Sequence, residues 1–288
     1  MKIHLVICFL LYAMVGKSQQ KFGLNIFRIN SLYTSFPDST RKNGHVYNNE
    51  MFDAAAHYTD SSLLIVIPDN YKPKKKVNIV CWFHGWYNNI DSANQHFELA
   101  KQFMAANVNA ILVIPEGAKN APDSYGGKLE QPNMFAQLIN DIFAKLKKGS
   151  IILSKAAPGN IVLAGHSGAY RVMAHITAKG GLRINEIVLF DGLYSETDKY
   201  ISWLQLSQQH RFINVYTNDG GTMDESVAMM QRLTNKITPF LFTEESNLQK
   251  TGLKNNSILF IHSNRQHNDI INKPDNFRLF LESSPYLR

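Results

Sequence analysis

The chain has 288 residues and a formal charge of +7, and hydrophobic residues make up 44% of it. This composition is ordinary for a globular protein and excludes low-complexity, collagen-like and disulfide-framework classes. The basic excess is dispersed apart from "KPKKK" (72–76), read as a solvated loop, so it offers no basic face interleaved with aromatics for nucleic acid.

The first eighteen residues read as a cleavable export leader. Lys2 supplies a basic start, residues 3–15 are apolar, and Gly16 and Ser18 are the small residues a signal peptidase needs. A run of about 13 residues is shorter than the roughly 20 that a membrane span takes. The expected location is therefore secreted or periplasmic, with no stable membrane insertion after cleavage. Residues 19–288 then form a single domain, with its core at about 58–285. Cys8 lies in the leader, so Cys81 is the one cysteine left in that domain. Its apolar setting, "NIVCWF", suits a buried thiol.

From residue 58 onward, short β-rich runs alternate with longer amphipathic ones. Strands are predicted at 62–68 ("SLLIVIP"), 77–83 ("VNIVCWF") and 110–115 ("AILVIP"). Further strands are predicted at 160–165 ("NIVLAG"), 185–190 ("NEIVLF"), 212–217 ("FINVYT") and 257–262 ("SILFIH"). Helices are predicted near 93–106, 169–178, 198–208, 224–235 and 274–281. Another is predicted where Phe135, Leu138, Ile139, Ile142, Phe143 and Leu146 recur at helical spacing. Residues 19–57 add an edge strand or wrap the surface. The fold class is α/β: a mostly parallel central sheet with helices on both faces. Ligands bind such sheets beyond the carboxyl ends of the strands.

One stretch there carries chemistry. "GHSGA" (165–169) follows a strand and opens a helix. A turn that sharp needs small residues on both sides of Ser167, and Gly165 and Ala169 supply them. Two further segments fall in a matching order. "WFHGWYNN" (82–89) ends a strand in His84-Gly85, and "FIHSNRQHNDII" (260–271) places His267 beyond the last strand. Together these resemble the α/β-hydrolase superfamily, and secreted bacterial esterase-type hydrolases within it. The elbow of that superfamily reads G-x-S-x-G; here alanine stands at the last position.

The resemblance covers roughly residues 58–285 and implies a serine hydrolase. Ser167 is then the nucleophile and His267 the base, with His262 as its rival. The acid is Asp191 in "LFDGLY", or alternatively Asp219 in "YTNDGGT", with Asp269 third. The backbone N–H groups of Gly168 and Trp86 form the oxyanion hole. Tyr87, Tyr125 and His166 are the candidates for substrate contact. Residues 192–211 leave no room for an inserted cap domain, so the loop at 116–133 is the remaining cover, and Glu116 and Lys128 within it are further contact candidates.

No histidine or cysteine spacing suits a metal, no glycine-rich phosphate loop occurs, and the proposed chemistry needs no cofactor. The expected partner is a small-molecule or polymeric ester, such as an acylated carbohydrate outside the cytoplasm. Two alternatives stay open: a peptidase or amidase with the same triad, and a binding protein that keeps the fold without catalysis. The oligomeric state is not encoded in any feature of the sequence.

Overall fold

A computed structural model describes residues 25–236 and 238–288. The leader read at 1–18 lies outside them. Eleven strands occur among the described residues: β1 (Ile26–Asn30), β2 (His45–Tyr47), β3 (Glu50–Phe52), β4 (Ser62–Val66), β5 (Lys76–Phe83), β6 (Ala110–Pro115), β7 (Ala157–His166), β8 (Glu186–Phe190), β9 (Arg211–Thr217), β10 (Leu241–Glu244) and β11 (Ile258–Ser263). The helices are α1 (Ala54–His57), α2 (Ile90–His96), α3 (Leu99–Ala105), α4 (Met134–Lys148), α5 (Tyr170–Lys179), α6 (Thr197–Gln205), α7 (Met223–Asn235), α8 (Lys250–Asn255) and α9 (Asn276–Ser283).

Nine strands build one sheet in the order β1-β4-β6-β5-β7-β8-β9-β11-β10. From β6 to β10 all neighbours are parallel; β4 runs antiparallel to β6, and β1 antiparallel to β4. The sheet is covered on both faces, so its central strands are buried and apolar over most of their length. Side chains alternate between the faces. Leu163 of β7 packs with α4, α5, α6 and α7, and its neighbours Val162 and Ala164 pack with α2, α3, α8 and α9. On the second face Trp82 is fully buried among Phe97, Phe190 and Phe277. Burying aromatics of that size contributes about 1.5–3 kcal/mol each.

Residues 25–57 do both things expected of them: β1 extends the sheet, and the hairpin β2–β3 with α1 wraps the surface. The single helix expected at 93–106 is two, because the chain breaks at Phe97-Glu98, where Glu98 takes a left-handed φ of 51°. β10 and α8 follow the α7 connection and were not expected; β10 is a short, half-exposed edge strand without the apolar run of its neighbours. Only α6 links β8 to β9. Cys81 is buried in β5, and burial pushes its thiol pKa up, so it packs as a small apolar group. Among the described residues no helix is long and apolar enough to cross a membrane.

One feature of this topology places the site. β5 pairs with β6 on one side and β7 on the other, so the chain leaves β5 in one direction and later returns in the opposite one. A crevice opens at such a reversal, beyond the carboxyl ends of the strands.

Candidate active site

Ser167 follows the last residue of β7 and has φ 55°, a left-handed conformation that costs a non-glycine residue of order 1–3 kcal/mol. The turn around it is tight. A Cβ on Gly165 would stand 2.7 Å from the Cβ of Ala169 and 2.6 Å from the sulfur of Met173, so both flanking residues must be small. A Cβ on Gly85 would lie 2.7 Å from the Cβ of Ser167. The β5 loop and the β7 elbow are therefore in backbone contact. Ser167 itself is half-buried.

Asp191 follows β8 in the same way. His166 is in register with Phe190, so Ser167 and Asp191 emerge side by side from adjacent strands, and Asp191 also has a left-handed φ, 46°. Its carboxylate is fully buried. It accepts hydrogen bonds from His267 Nδ1 (2.7 Å), the Thr217 N–H (3.1 Å), the Thr217 hydroxyl (2.5 Å) and the Thr222 hydroxyl. Burial is the largest influence and would raise its pKa; the bonds from His267, Thr217 and Thr222 outweigh it and hold the pKa below the usual carboxylate range.

His267 comes from the loop after β11, which lies two strands from β8, roughly 10 Å away. The loop crosses over β9 and is fastened on the near side: His166 Nε2 donates to the carbonyl of His267 at 3.0 Å, and the two rings stand 4.4 Å apart. With an ionised carboxylate as acceptor, the proton sits on Nδ1 of His267. Its Nε2 then carries a lone pair and has no protein hydrogen-bond partner among the described residues.

Gly168 opens the helical turn that continues into α5, where the first N–H groups have no intrahelical acceptor. Trp86 lies beside it: a Cβ on Gly168 would stand 2.6 Å from the indole Cδ1 of Trp86. The Trp86 N–H likewise has no acceptor among the described residues. The indole is held in place by its Nε1–H, which donates to Ser124 Oγ at 2.7 Å, and by an edge contact with Tyr47 of β2 at 5.2 Å.

The three candidates for substrate contact have different environments. Tyr87 is 58% exposed beside the crevice. Tyr125 is half-buried; its hydroxyl donates to Asp38 at 3.1 Å, and its ring lies between the guanidiniums of Arg41 and Arg171 at 4.8 and 5.4 Å. His166 is 3% exposed and faces Phe97 and His267, so the expected substrate contact gives way to a role in holding the His267 loop. Burial, with the neighbouring His267, pushes its pKa down to about 3.

Of the other candidates, Asp219 is exposed at the tip of its turn, and Asp269 pairs with Lys273. His262 is held between Glu244 and Asn218, at 2.8 and 2.9 Å. Glu116 turns inward to His84, and Lys128 reaches back to the carbonyl of Leu32.

Several groups around the site were not anticipated. Thr217, Gly220 and Thr222 enclose Asp191, and a Cβ on Gly220 would fall inside its carboxylate. They belong to the "TNDGGT" stretch that suggested Asp219, and the two threonines framing that turn were the legible signal. Tyr194 donates to the carbonyl of Gly220 at 2.6 Å and touches Ser167; nothing in the local sequence points to it. The 116–133 loop is not free either: its Gly127 packs against the carbonyl of Ser35, and Asp123 pairs with Arg41 at 2.7 Å. Among the described residues no group of acidic, histidine or cysteine side chains could hold a metal ion.

No protein-family model matches the sequence, and no curated protein matches it. Solved structures do. FphF, a fluorophosphonate-binding serine hydrolase of Staphylococcus aureus, superposes with a TM-score of 0.51 at 10% identity, over 88% of this chain and 98% of that one. The BES protein of Bacillus cereus gives 0.51 at 12% identity, over 93% and 98%. An S-formylglutathione hydrolase from Agrobacterium tumefaciens gives 0.50 at 10% identity, over 90% and 94%. The chain has the α/β-hydrolase fold. Within the α/β-hydrolase fold the elbow of Ser167 and the loop of His267 occupy the carboxyl ends of the central strands, where this architecture concentrates its chemistry. A shared fold hosts many activities, so function has to be argued from the site itself.

Proposed function

We propose that the protein is a serine esterase. Ser167 Oγ attacks an acyl carbonyl, and His267 Nε2 takes its proton. The N–H groups of Gly168 and Trp86 receive the negative charge that develops on the carbonyl oxygen. The tetrahedral intermediate then collapses, His267 returns the proton to the departing alcohol, and an acyl group remains on Ser167. Water, deprotonated by the same nitrogen, releases the acid. Asp191 stays ionised throughout, fixes the tautomer and stabilises the imidazolium.

The observation that carries this reading is the 2.7 Å bond from His267 Nδ1 to a buried Asp191, one rung from a serine with φ 55°. A purely structural turn has no need of a strained serine, a strained aspartate and an imidazole with one free nitrogen in the same place. The leader at 1–18 adds export to the proposal, so the substrate is an ester outside the cytoplasm. Tyr87 and the rim of Trp86 are the groups positioned to meet it.

Matched acyl esters and anilides with the same chromophoric leaving group test this. The purified parent is expected to hydrolyse short acyl esters much faster than the anilides, and Ser167→Ala to lose that activity while remaining folded. Comparable turnover of both would favour the amidase reading. No turnover that depends on Ser167 would reject both.

A further inference from the structure

His84 and Glu116 form a buried pair that the mechanism above does not use. Their side chains are 3% and 2% exposed, and His84 Nε2 lies 2.7 Å from Glu116 Oε1. The other ring nitrogen, Nδ1, lies 2.9 Å from the carbonyl oxygen of Gly85. Each nitrogen therefore has an acceptor beside it, and Nε2 is also approached by the N–H of Gly117 at 3.0 Å. A neutral imidazole has only one N–H and would leave one of these contacts between two lone pairs. The other carboxylate oxygen accepts from the N–H of Ile90 at 3.3 Å, and the N–H of Gly117 is shared between Glu116 Oε1 at 3.3 Å and the ring nitrogen. Gly85 contributes its carbonyl to the same peptide that carries the Trp86 N–H. That unit is planar and trans, so fixing the carbonyl fixes the direction of the N–H on its far side.

We propose that the His84–Glu116 ion pair is a positioning device that holds the Gly85–Trp86 peptide so that its N–H faces the reacting carbonyl oxygen. The inference rests on the esterase reading for its effect on rate, but the charge state of His84 does not. Burial alone would depress the imidazole's pKa; the bonds that Glu116 and the Gly85 carbonyl accept from the ring reverse that and raise it. The donor is needed more in the transition state than in the ground state, so its misdirection acts on kcat and not on KM.

Two variants of equal charge separate positioning from packing. His84→Leu/Glu116→Gln removes the donor to Gly85. His84→Asn/Glu116→Gln keeps one, because an asparagine amide nitrogen occupies nearly the place of Nδ1. The leucine variant is expected to lose roughly 10- to 100-fold in kcat, below the ~10²–10³ of a deleted oxyanion donor, with KM within about twofold. The asparagine variant should recover most of that loss. Equal losses in both, or a loss in neither, would overturn the proposal.

Nitrogen-15 spectra of histidine-labelled parent and Ser167→Ala provide a second measurement independent of turnover. Both should show His84 protonated at both nitrogens at pH 7.5, and a neutral His84 there would overturn the proposal even if the leucine variant failed to fold. Absence of Ser167-dependent turnover with an intact His84 imidazolium would instead refute the esterase reading.

Discussion

Four donors converge on Asp191, and they explain how a fully buried carboxylate keeps its charge. Three of them come from the last residue of β9 and the turn that follows it, so Asp191 is solvated by protein before His267 arrives. Asp191→Asn should leave the geometry nearly intact but favour the wrong tautomer of His267, lowering kcat by ~10⁴. Asp219→Asn, at an exposed turn tip, should stay within twofold; steady-state kinetics of the two variants decides the assignment. The sequence offered both aspartates with similar merit because each follows a strand that ends near the site. What separates them is burial and the reach of the His267 loop, neither of which local pattern encodes. His166 makes a related point. Its place in the elbow suggested substrate, yet its ring is buried and donates to the His267 backbone. Its pKa of about 3 in the fold lies below the unfolded value of about 6.5, so the unfolded chain binds the extra proton between these values. Stability should therefore fall as pH drops from about 6.5 to 3, by up to roughly 1 kcal/mol per pH unit from this group. Asp191, with its lowered pKa, adds to the loss at the acid end. Urea midpoints across that range should lose much of this slope in His166→Gln.

Glycines determine how the connecting elements meet. Gly220 and Gly221 are neighbours in one turn, but their surroundings differ. A side chain on Gly220 would displace the Asp191 carboxylate, whereas one on Gly221 meets only the ring edge of Tyr194, at 3.5 Å, and a φ of 79°. Gly220→Ala should therefore lower kcat nearly as much as Asp191→Asn. Gly221→Ala should cost about 1 kcal/mol of stability through strain and leave kcat within a few-fold. Thermal unfolding and kinetics on the pair check both halves of that contrast. At this scale the strands of the sheet's centre were readable, because burial on both faces makes them continuous apolar runs. The elbow was readable too, since its steric demand for small residues is written locally. The break between α2 and α3 was not, because amphipathic spacing continues through Phe97-Glu98 while the backbone does not. β10 was missed for the opposite reason: a half-exposed edge strand carries no apolar run.

The molecule divides its polar burial between the two ends of the sheet. At the carboxyl ends stand Ser167, Asp191 and the His84–Glu116 pair. At the amino ends of β8 and β9, Glu186 and Arg211 form a buried ion pair, with Arg211 also donating to Ser283 Oγ at 2.7 Å and to the Leu253 carbonyl at 3.0 Å. Burial raises the pKa of Glu186, and its bonds from Arg211 and Ser284 oppose that shift. Removing one partner strands a buried charge, so Arg211→Met should cost about 3–5 kcal/mol in denaturant unfolding. The fraction that remains folded should keep the parent's kcat, because this pair lies at the opposite end of the sheet from the chemistry. The alternation of strands and helices from residue 58 onward was enough to place that part of the chain in a mostly parallel α/β architecture. The wrapping of residues 31–58 over the 116–133 loop was not legible, since it rests on long-range contacts such as Arg41 with Asp123.

In the proposed esterase, the fold activates one serine. Treatment of the folded protein with a fluorophosphonate, followed by peptide mapping, measures that most directly. The expected result is a single stoichiometric adduct on Ser167, absent in Ser167→Ala and slowed by orders of magnitude in Asp191→Asn. A folded parent that takes up no label, or takes it up at another residue, would contradict it.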